Sequence, residues 1–482
     1  METTVFERRR PSASVIEHSL EGTRQSVFWL DDIGQEGQAT RQALSGVRRA
    51  DLAIVGGGYT GLWTALLAKR RDPALKVVLV EAGMVGWAAS GRNGGFCEAS
   101  LTHGRANGER RWPEELDELE RLGLANLDAI ETDVVALGLD VEFERTGVLS
   151  VATEPHQVEW LRDEFQSAAR RGDHTIRFLD QDAAQAQVAS PTYLAATWDT
   201  HSAALVHPGK LASELARAVE EAGVEVFERS PVRRLETSDG GAPVLLESGN
   251  GRIIAEKVVL ATNAFPSLLK RNRLMTVPVY DYVLMSEPLS QAQLADVGWS
   301  ERQGIADLAN QFHYYRLTRE NRILFGGYDA IYHYGGRVRS KYERRAASFE
   351  RLASHFFTTF PQLEGLRFTH QWAGAIDTCT RFCAFFGTAR GDRIAYATGF
   401  TGLGVAATRF AGEVMLDLLE GADTERTRLR MVRERPLPFP PEPAASIGIN
   451  ATRRAMDRAD HRRGRRGPLL SMLDAVGLGF DS

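Results

Sequence analysis

At 482 residues the chain is too long for one compact core, and its 43% apolar and 25% charged content is that of an ordinary folded domain pair. A formal net charge of −5 argues against a nucleic-acid binder, which needs a basic face. No apolar run approaches the roughly 18 residues of a spanning helix, the amino end METTVFERRRPSAS lacks the apolar core of a secretory signal, and Cys97, Cys379 and Cys383 are too few for a disulfide framework. A cytoplasmic protein without membrane attachment is expected.

Residues 1–50 read as a polar extension. Its one apolar cluster, Val27-Phe28-Trp29-Leu30, is expected to pack on the main body, with a place near a substrate entrance as the alternative. From Asp51 the pattern sharpens. A strand, Leu52–Val55, runs into Gly56, Gly58 and Gly61 in the G-x-G-x-x-G spacing. A helical run with Leu62, Trp63, Leu66 and Leu67 on one face follows, then a buried strand, Val77–Val80, ending in Glu81. This β-α-β unit is built for a dinucleotide. Gly56 permits the tight turn, Gly58 lets a pyrophosphate approach the backbone, and Gly61 lets helix and strand pack closely. The helix start at Tyr59 and Thr60 offers N–H groups and a partial positive charge. Glu81, 20 residues past Gly61, is placed to accept hydrogen bonds from a ribose.

The following loop, Ala82 to Gly95, is too long and glycine-rich for an ordinary connection and predicts a backbone-lined groove for a large flat cofactor. With its Ala-Ser90-Gly91-Arg92-Asn93-Gly94-Gly95 segment the chain resembles the FAD-dependent amine and amino-acid oxidoreductases of the D-amino-acid oxidase and glycine oxidase superfamily. The segment looks most like the branch that includes gamma-glutamylputrescine oxidase. The resemblance runs, with gaps, from about Asp51 to Glu420. It implies an α/β fold, a Rossmann-like FAD-binding domain interleaved with an antiparallel-sheet substrate domain, and places Arg92 and Asn93 nearest the reacting ring.

Beyond Gly95, Phe96 to Gly104 reads as a loop and Pro113 to Leu137 as a long helix stopped by Gly138. Val141, Phe143 and Thr146–Val151 read as strands, residues 155–190 as amphipathic helix, and Ala195–Asp199 as a strand. A helix from Pro208 to Gly223 and a strand at Val224 and Val226, ending at Pro231-Val232, return the chain to the nucleotide domain. A hairpin around Gly249-Asn250-Gly251 ends in Val258–Ala264, where Ala261 and Thr262 resemble the family's return to the cofactor edge. Val277–Met285, Phe312–Leu317, Arg322–Gly327 and Phe368–Ala375 predict an antiparallel sheet over one flavin face. Tyr396 leads through Gly399-Phe400-Thr401-Gly402-Leu403-Gly404-Val405 into a helix ending at Leu419, whose N-terminus faces the flavin N1/O2 edge in this reading. The division expected is 1–50 extension; 51–138, 206–274 and 377–424 FAD-binding; 139–205 and 275–376 substrate domain; 425–482 tail. The tail carries Arg453, Arg454, Arg458, Arg462, Arg463, Arg465 and Arg466 beside an apolar end, Leu469–Phe480, and reads as a solvated helix face with a docking end.

The resemblance implies oxidation of an amine or amino acid by hydride transfer to flavin N5, giving an imine, with dioxygen reoxidising the flavin to yield hydrogen peroxide. The alternative is a dehydrogenase passing electrons to a carrier or quinone, with the Arg-rich tail as docking site. No G-x-S-x-G, H-E-x-x-H or metal-spaced Cys/His set is present, and no metal is expected. Arg92, Asn93, Tyr314 and Arg316 are the catalytic candidates. Arg381, His103, His370 and the aromatics Tyr280, Tyr282, Phe312, Tyr315, Tyr328, Tyr332, Tyr334 and Trp372, most of them expected in core packing, are further candidates for the substrate cavity. Where several relatives have a histidine in the last glycine turn, this chain has Leu403. The position of the covalently linking cysteine of sarcosine-oxidase-like relatives falls at Gly374, so non-covalent FAD is expected.

Overall fold

The computed structural model describes residues 3–35, 41–237, 242–475 and 477–478. Two large sheets dominate. The first runs in the order Phe385–Ala389, Ile394–Thr398, Gly251–Leu260, Gly46–Val55, Val77–Val80 and Glu225–Phe227. Along this order all neighbours pair in parallel except the antiparallel edge strand Phe385–Ala389; off it, Val244–Ser248 pairs antiparallel with both Gly251–Leu260 and Arg234–Glu236. Parallel strands are covered on both faces, which is why Val77–Val80 is a continuous apolar run, fully buried. Leu52 and Ile54 turn to one face, toward the helices Tyr59–Arg71, Leu116–Ala136, Pro208–Glu221 and Gly404–Glu420. Ala53 and Val55 turn to the other, toward Val244 and Leu246 of the hairpin. The first strand starts earlier than its apolar run suggests, because Gly46–Ala50 finds ladder partners at Gly251–Ala255.

The second sheet orders Ile331–Tyr332, Thr276–Ser286, Ile323–Gly327, His313–Leu317, Gly304–Asp307, Val148–Ala152, Ala195–Asp199 and Ile176–Leu179, with Phe368–Cys379 along the other edge of Thr276–Ser286. It is antiparallel except where Gly304–Asp307, a strand the pattern did not reveal, runs parallel to Val148–Ala152. The chain alternates between the two sheets, strands 46–80, 225–260 and 385–398 in the first and 148–199, 276–332 and 368–379 in the second.

Several local expectations are corrected. Residues 155–190 are not one helical stretch: a helix, Pro155–Arg170, breaks at Gly172 (φ 79°), and Ile176–Leu179 is a strand before a short helix, Gln181–Gln187. Phe96–Glu98 is not loop but pairs with Ala203–Leu205. The long helix begins at Leu116, with Pro113 ahead of its first turn and an unforeseen helix, Arg105–Arg111, before that. The Val27–Leu30 cluster packs on the back of the glycine loop rather than at a cavity mouth: Trp29 is fully buried, and its indole N–H donates to the Asn93 carbonyl at 2.9 Å. The tail forms helices Ala444–Asp460 and Pro468–Ala475. Residues 476, 479 and 480 of the apolar end Leu469–Phe480 lie outside the described residues. No described helix is long and apolar enough to cross a membrane.

Gly61 tests the packing that the fold requires. A Cβ there would stand 1.9 Å from the Gly56 carbonyl oxygen and 3.2 Å from Ile54 Cγ2. Because the first obstacle is backbone, Gly61→Ala is expected to destabilise the protein by about 2–3 kcal/mol, measured by denaturant unfolding against wild type.

Candidate active site

A cavity of about 2260 Å³ opens at the carboxyl ends of the parallel strands and runs under the second sheet. Two helices start on it, Tyr59–Arg71 at Gly58 and Gly404–Glu420 at Leu403, and neither N-terminus has a side-chain cap. Gly56, at φ 117°, lets the first strand end against the Ala261 carbonyl, 2.3 Å from where a Cβ would be. Glu81 binds the glycine turns together. Its Oε2 accepts from Gly57 N at 2.7 Å, and its Oε1 accepts from Gly83 N at 2.7 Å and from the Trp87 indole N–H at 2.8 Å. Three of its roughly four lone-pair positions are thus occupied, leaving one for a ribose hydroxyl. Ser90 Oγ accepts from Tyr59 N at 3.0 Å and would lie 2.8 Å from a Cβ on Gly58, so the second glycine loop lies against the first helix start.

Of the residues expected at the cofactor, Gly56, Gly58, Tyr59, Thr60, Glu81, Ala82, Ser90, Arg92, Asn93, Gly94, Val232, Ala261, Thr262, Phe400, Thr401, Gly402, Leu403, Gly404 and Val405 line this cavity. Gly61, Gly91, Gly95 and Gly399 stand behind it, each a point of close packing: Gly91 against the Gly86 carbonyl, Gly95 (φ 80°) against the Val206 carbonyl, Gly399 (φ 79°) against Cys379. The FAD that the sequence implies fits this arrangement, with two uncapped helix N-termini and a glycine-lined groove facing one large cavity. Cys97, Cys379 and Cys383 are buried and outside the cavity lining, and the Cys379 thiol donates to the Cys383 carbonyl at 3.1 Å. A Cβ on Gly374 would meet only Arg92 Cβ, at 3.7 Å, so that position opens into the cavity without a thiol.

The second sheet presents alternate residues. Val277, Val279, Asp281 and Val283 line the cavity, opposite Thr378, Ile376, Gly374 and Trp372 of the neighbouring strand. Tyr280 and Tyr282 therefore point the other way and are buried in the core with Tyr315, which corrects their assignment to the cavity. Tyr314 and Phe312 do face the cavity, as does Tyr328. The Tyr314 ring lies between Gly94 and Gly326, where added Cβ atoms would stand 2.6 and 2.7 Å from it. Gly326 lets the ring cross the intervening strand, and the Tyr314 hydroxyl donates to Asp281 Oδ2. Burial pushes the Asp281 carboxyl up to about 6, against the opposing pull of that hydrogen bond. Asp377, also lifted to about 6 by burial, accepts from Gly399 N at 2.5 Å and Thr398 Oγ1 at 3.0 Å, anchoring the last glycine turn. Neither aspartate was singled out from sequence. The alternation through Val277, Val279 and Val283 was the signal that marks Asp281 as sharing their face.

Other candidates are relocated. Arg316 is buried outside the cavity, its guanidinium donating to the Val206 carbonyl at 2.6 Å and lying over the Trp29 ring, so it braces the glycine loop and clamps no substrate. Arg92 lines the cavity but is held by Glu343 Oε2 (2.7 Å), the Ala373 carbonyl (3.1 Å) and the Trp87 carbonyl (2.9 Å). The Asn93 amide is spent within its own loop, donating to the Ala89 and Ser90 carbonyls and accepting from Gly95 N. Arg381 donates to the Cys383, Ala384 and Glu434 carbonyls, and His370 packs against Arg24 and Asp31; neither lines the cavity. His103 does line it, and burial lowers its pKa.

The family described as FAD dependent oxidoreductase matches residues 51–418. Gamma-glutamylputrescine oxidoreductase of Escherichia coli is 32% identical over 387 residues, 78% of this chain and 84% of that protein. A probable oxidoreductase of Haemophilus influenzae is 28% identical over 403 residues, covering 82% and 88%. Among solved structures, glycine oxidase from Geobacillus kaustophilus superposes with a TM-score of 0.65 at 22% identity, covering 80% of this chain and 99% of that one.

The raised Asp281 pKa makes a signed prediction. The folded group holds a proton that the unfolded chain releases between its ordinary value of 3.8 and about 6, so its contribution turns unfavourable as pH rises through that window. Asp281→Asn keeps an acceptor for Tyr314 and removes the titration. Its stability relative to wild type is expected to rise by roughly 1–3 kcal/mol between about pH 4 and pH 7, read from unfolding at each pH.

Proposed function

Because the chain belongs to the FAD-dependent oxidoreductase family, we propose that it oxidises the carbon–nitrogen bond of an amine or amino acid. Non-covalent FAD would be held by the Gly56–Thr60 turn, Glu81, the Ala82–Gly95 loop, Val232, Ala261-Thr262 and the Phe400–Val405 turn. With FAD bound, the substrate carbon gives up hydride to flavin N5, the resulting imine is hydrolysed, and dioxygen restores the oxidised cofactor with release of hydrogen peroxide.

The single observation that carries the amine reading is Asp281. It is the carboxylate that the second sheet turns into the cavity in the run Val277–Val283, ionised at neutral pH with a value near 6. A substrate ammonium arriving there finds its counter-charge. The same carboxylate accepts the proton that must leave before the nitrogen lone pair can assist C–H cleavage. Tyr314, donating to Oδ2, and the backbone N–H groups of Tyr282 and Gly327 together fix the carboxylate plane. Phe312, Tyr314 and Tyr328 wall the cavity with rings that favour a cation. The neutral His103 adds a polar group without a competing positive charge. In this reading the enzyme works in the cytoplasm, without membrane attachment.

The first measurement is a visible spectrum of the purified protein, followed by anaerobic mixing with a panel of amines and amino acids. A flavin band that bleaches with one class and recovers in air with peroxide release is the expected result. Bleaching that persists in air replaces the oxidase with a dehydrogenase serving a carrier or quinone, and a protein that cannot take up FAD ends the proposal. For the amine that bleaches the flavin, kcat/KM is expected to rise with pH through about 6. Asp281→Asn should lose that limb and fall by about 10²-fold in kcat/KM while retaining FAD.

A further inference from the structure

We propose that Arg453, on the tail helix Ala444–Asp460, binds a carboxylate of the substrate, so that the preferred substrate is an amine that also carries an acid group. This rests on the amine reading above and names the substrate class within it.

The helix lies beyond the residues matched by the family, which end at 418, yet it forms a wall of the cavity. Ala445, Gly448, Ile449, Thr452, Arg453 and Met456 line it, recurring at the three- and four-residue intervals of one helical face. The helix is pinned to the second sheet near both ends. Just ahead of it, Glu442 Oε1 accepts from the Tyr332 hydroxyl at 2.7 Å and Gly335 N at 2.8 Å. At its last turn, Asp460 Oδ1 accepts from Asn310 N at 2.9 Å and Asn310 Nδ2 at 2.6 Å, just before the strand that carries Tyr314. These anchors place the wall on the substrate side of the cavity, with the tyrosine–aspartate pair, and not among the turns at Gly58.

Arg453 is the one charged residue on that face. Its Nε is shielded from solvent and, among the described residues, its guanidinium has no hydrogen-bond acceptor or ion-pair partner. Asp457, one helical turn on, forms no ion pair with it. The other arginines lining the cavity all have a partner: Arg92 pairs with Glu343, Arg105 with Glu109 and Glu120, Arg466 with Asp474, and Arg171 donates to Ser167 Oγ at 2.6 Å. The nearby lining carboxylates are also committed, Asp281 to Tyr314, Asp307 to His313, and Asp329 to Arg345 and Arg351. A guanidinium turned into a largely apolar cavity is costly unless a planar anion meets it, and a carboxylate does so bidentately. Asp281 and Arg453 then hold opposite charges of one zwitterionic molecule.

The test uses holoenzyme of wild type, Arg453→Met and Arg453→Lys. The probes are ω-amino acids of two to six carbons, each compared with the n-alkylamine of equal length by anaerobic flavin bleaching and steady-state rates. At one length the acid is expected to have the lower KM. Arg453→Met should raise that KM by about 10–100-fold, with kcat and the alkylamine KM within about 3-fold of wild type. Arg453→Lys should recover part of the loss. FAD content and thermal midpoint are checked in each variant, and loss of FAD in Arg453→Met would overturn the assignment by moving the arginine to the cofactor. So would equal losses for acid and alkylamine. Calorimetric titration with the plain carboxylates acetate to hexanoate separates the two proposals. If no amine bleaches wild-type flavin, oxidation fails, while about 10-fold weaker carboxylate binding in Arg453→Met still supports the arginine, and unchanged binding removes it.

Discussion

The carboxylate of Glu81 is the contact on which the rest of the site depends. By accepting from Gly57 N, Gly83 N and the Trp87 indole, it folds both glycine turns around the end of one strand. Trp87 then takes the Arg92 guanidinium over its ring, with the Trp87 carbonyl accepting from Arg92 Nε. Arg92 in turn reaches the Ala373 carbonyl and Glu343 in the second sheet's territory, and its own carbonyl accepts from the Trp372 indole at 2.8 Å. The loop is thereby spliced between the two sheets. Its charged and amide side chains are consumed in holding it there, so its contribution to a ligand is backbone and shape. The buried amino-terminal Trp29 and the guanidinium of Arg316 brace it from behind.

With the loop fixed, the opposing sheet face decides what the cavity can hold. The strand Thr276–Ser286 turns three valines and one aspartate toward it. An isolated carboxylate in such surroundings resists ionisation, and its value near 6 reflects burial outweighing its hydrogen bonds. Tyr314 steadies it at the cost of two glycines, Gly94 and Gly326, whose missing side chains leave room for the ring. The tail helix closes the cavity with small and apolar residues and a single guanidinium. The cavity thus has a carboxylate on the strand Thr276–Ser286 and a guanidinium on the tail helix, with apolar and aromatic surface between.

Much of the nucleotide half was legible because its physics is local. A buried parallel strand is a continuous apolar run, a G-x-G-x-x-G turn needs glycine at set intervals, and an acid at the second strand end follows from the length of one helix. Gly61 and Gly56 do what the spacing says they do, in van der Waals terms. The substrate half was legible as strands but not as faces. Tyr280 and Tyr282 drew attention as aromatics, while the residue between them, Asp281, faces the cavity, because strand periodicity tells which residues share a side and not which side looks inward. Arg316 and Arg381 showed the same limit: a buried arginine satisfied by backbone carbonyls has the same letter as one poised for a ligand.

By itself, then, the sequence determined the parallel βαβ core, the alternation of two sheets along the chain and the glycine turns that open toward a dinucleotide, since each rests on contacts within a few turns of chain or on the period of burial. Only the tertiary structure decided which side chains meet in the cavity. Asp281 and Tyr314 are 33 positions apart and join across an intervening strand at Gly326. Arg453 belongs to a tail whose composition reads as solvated, yet its helix is pinned at Tyr332 and Asn310 so that Arg453 lines the cavity while Arg454 and Arg458 on the same helix stay exposed. Such juxtapositions depend on long-range pairing and on which backbone groups remain unpaired at a sheet edge, and neither is encoded in a local pattern.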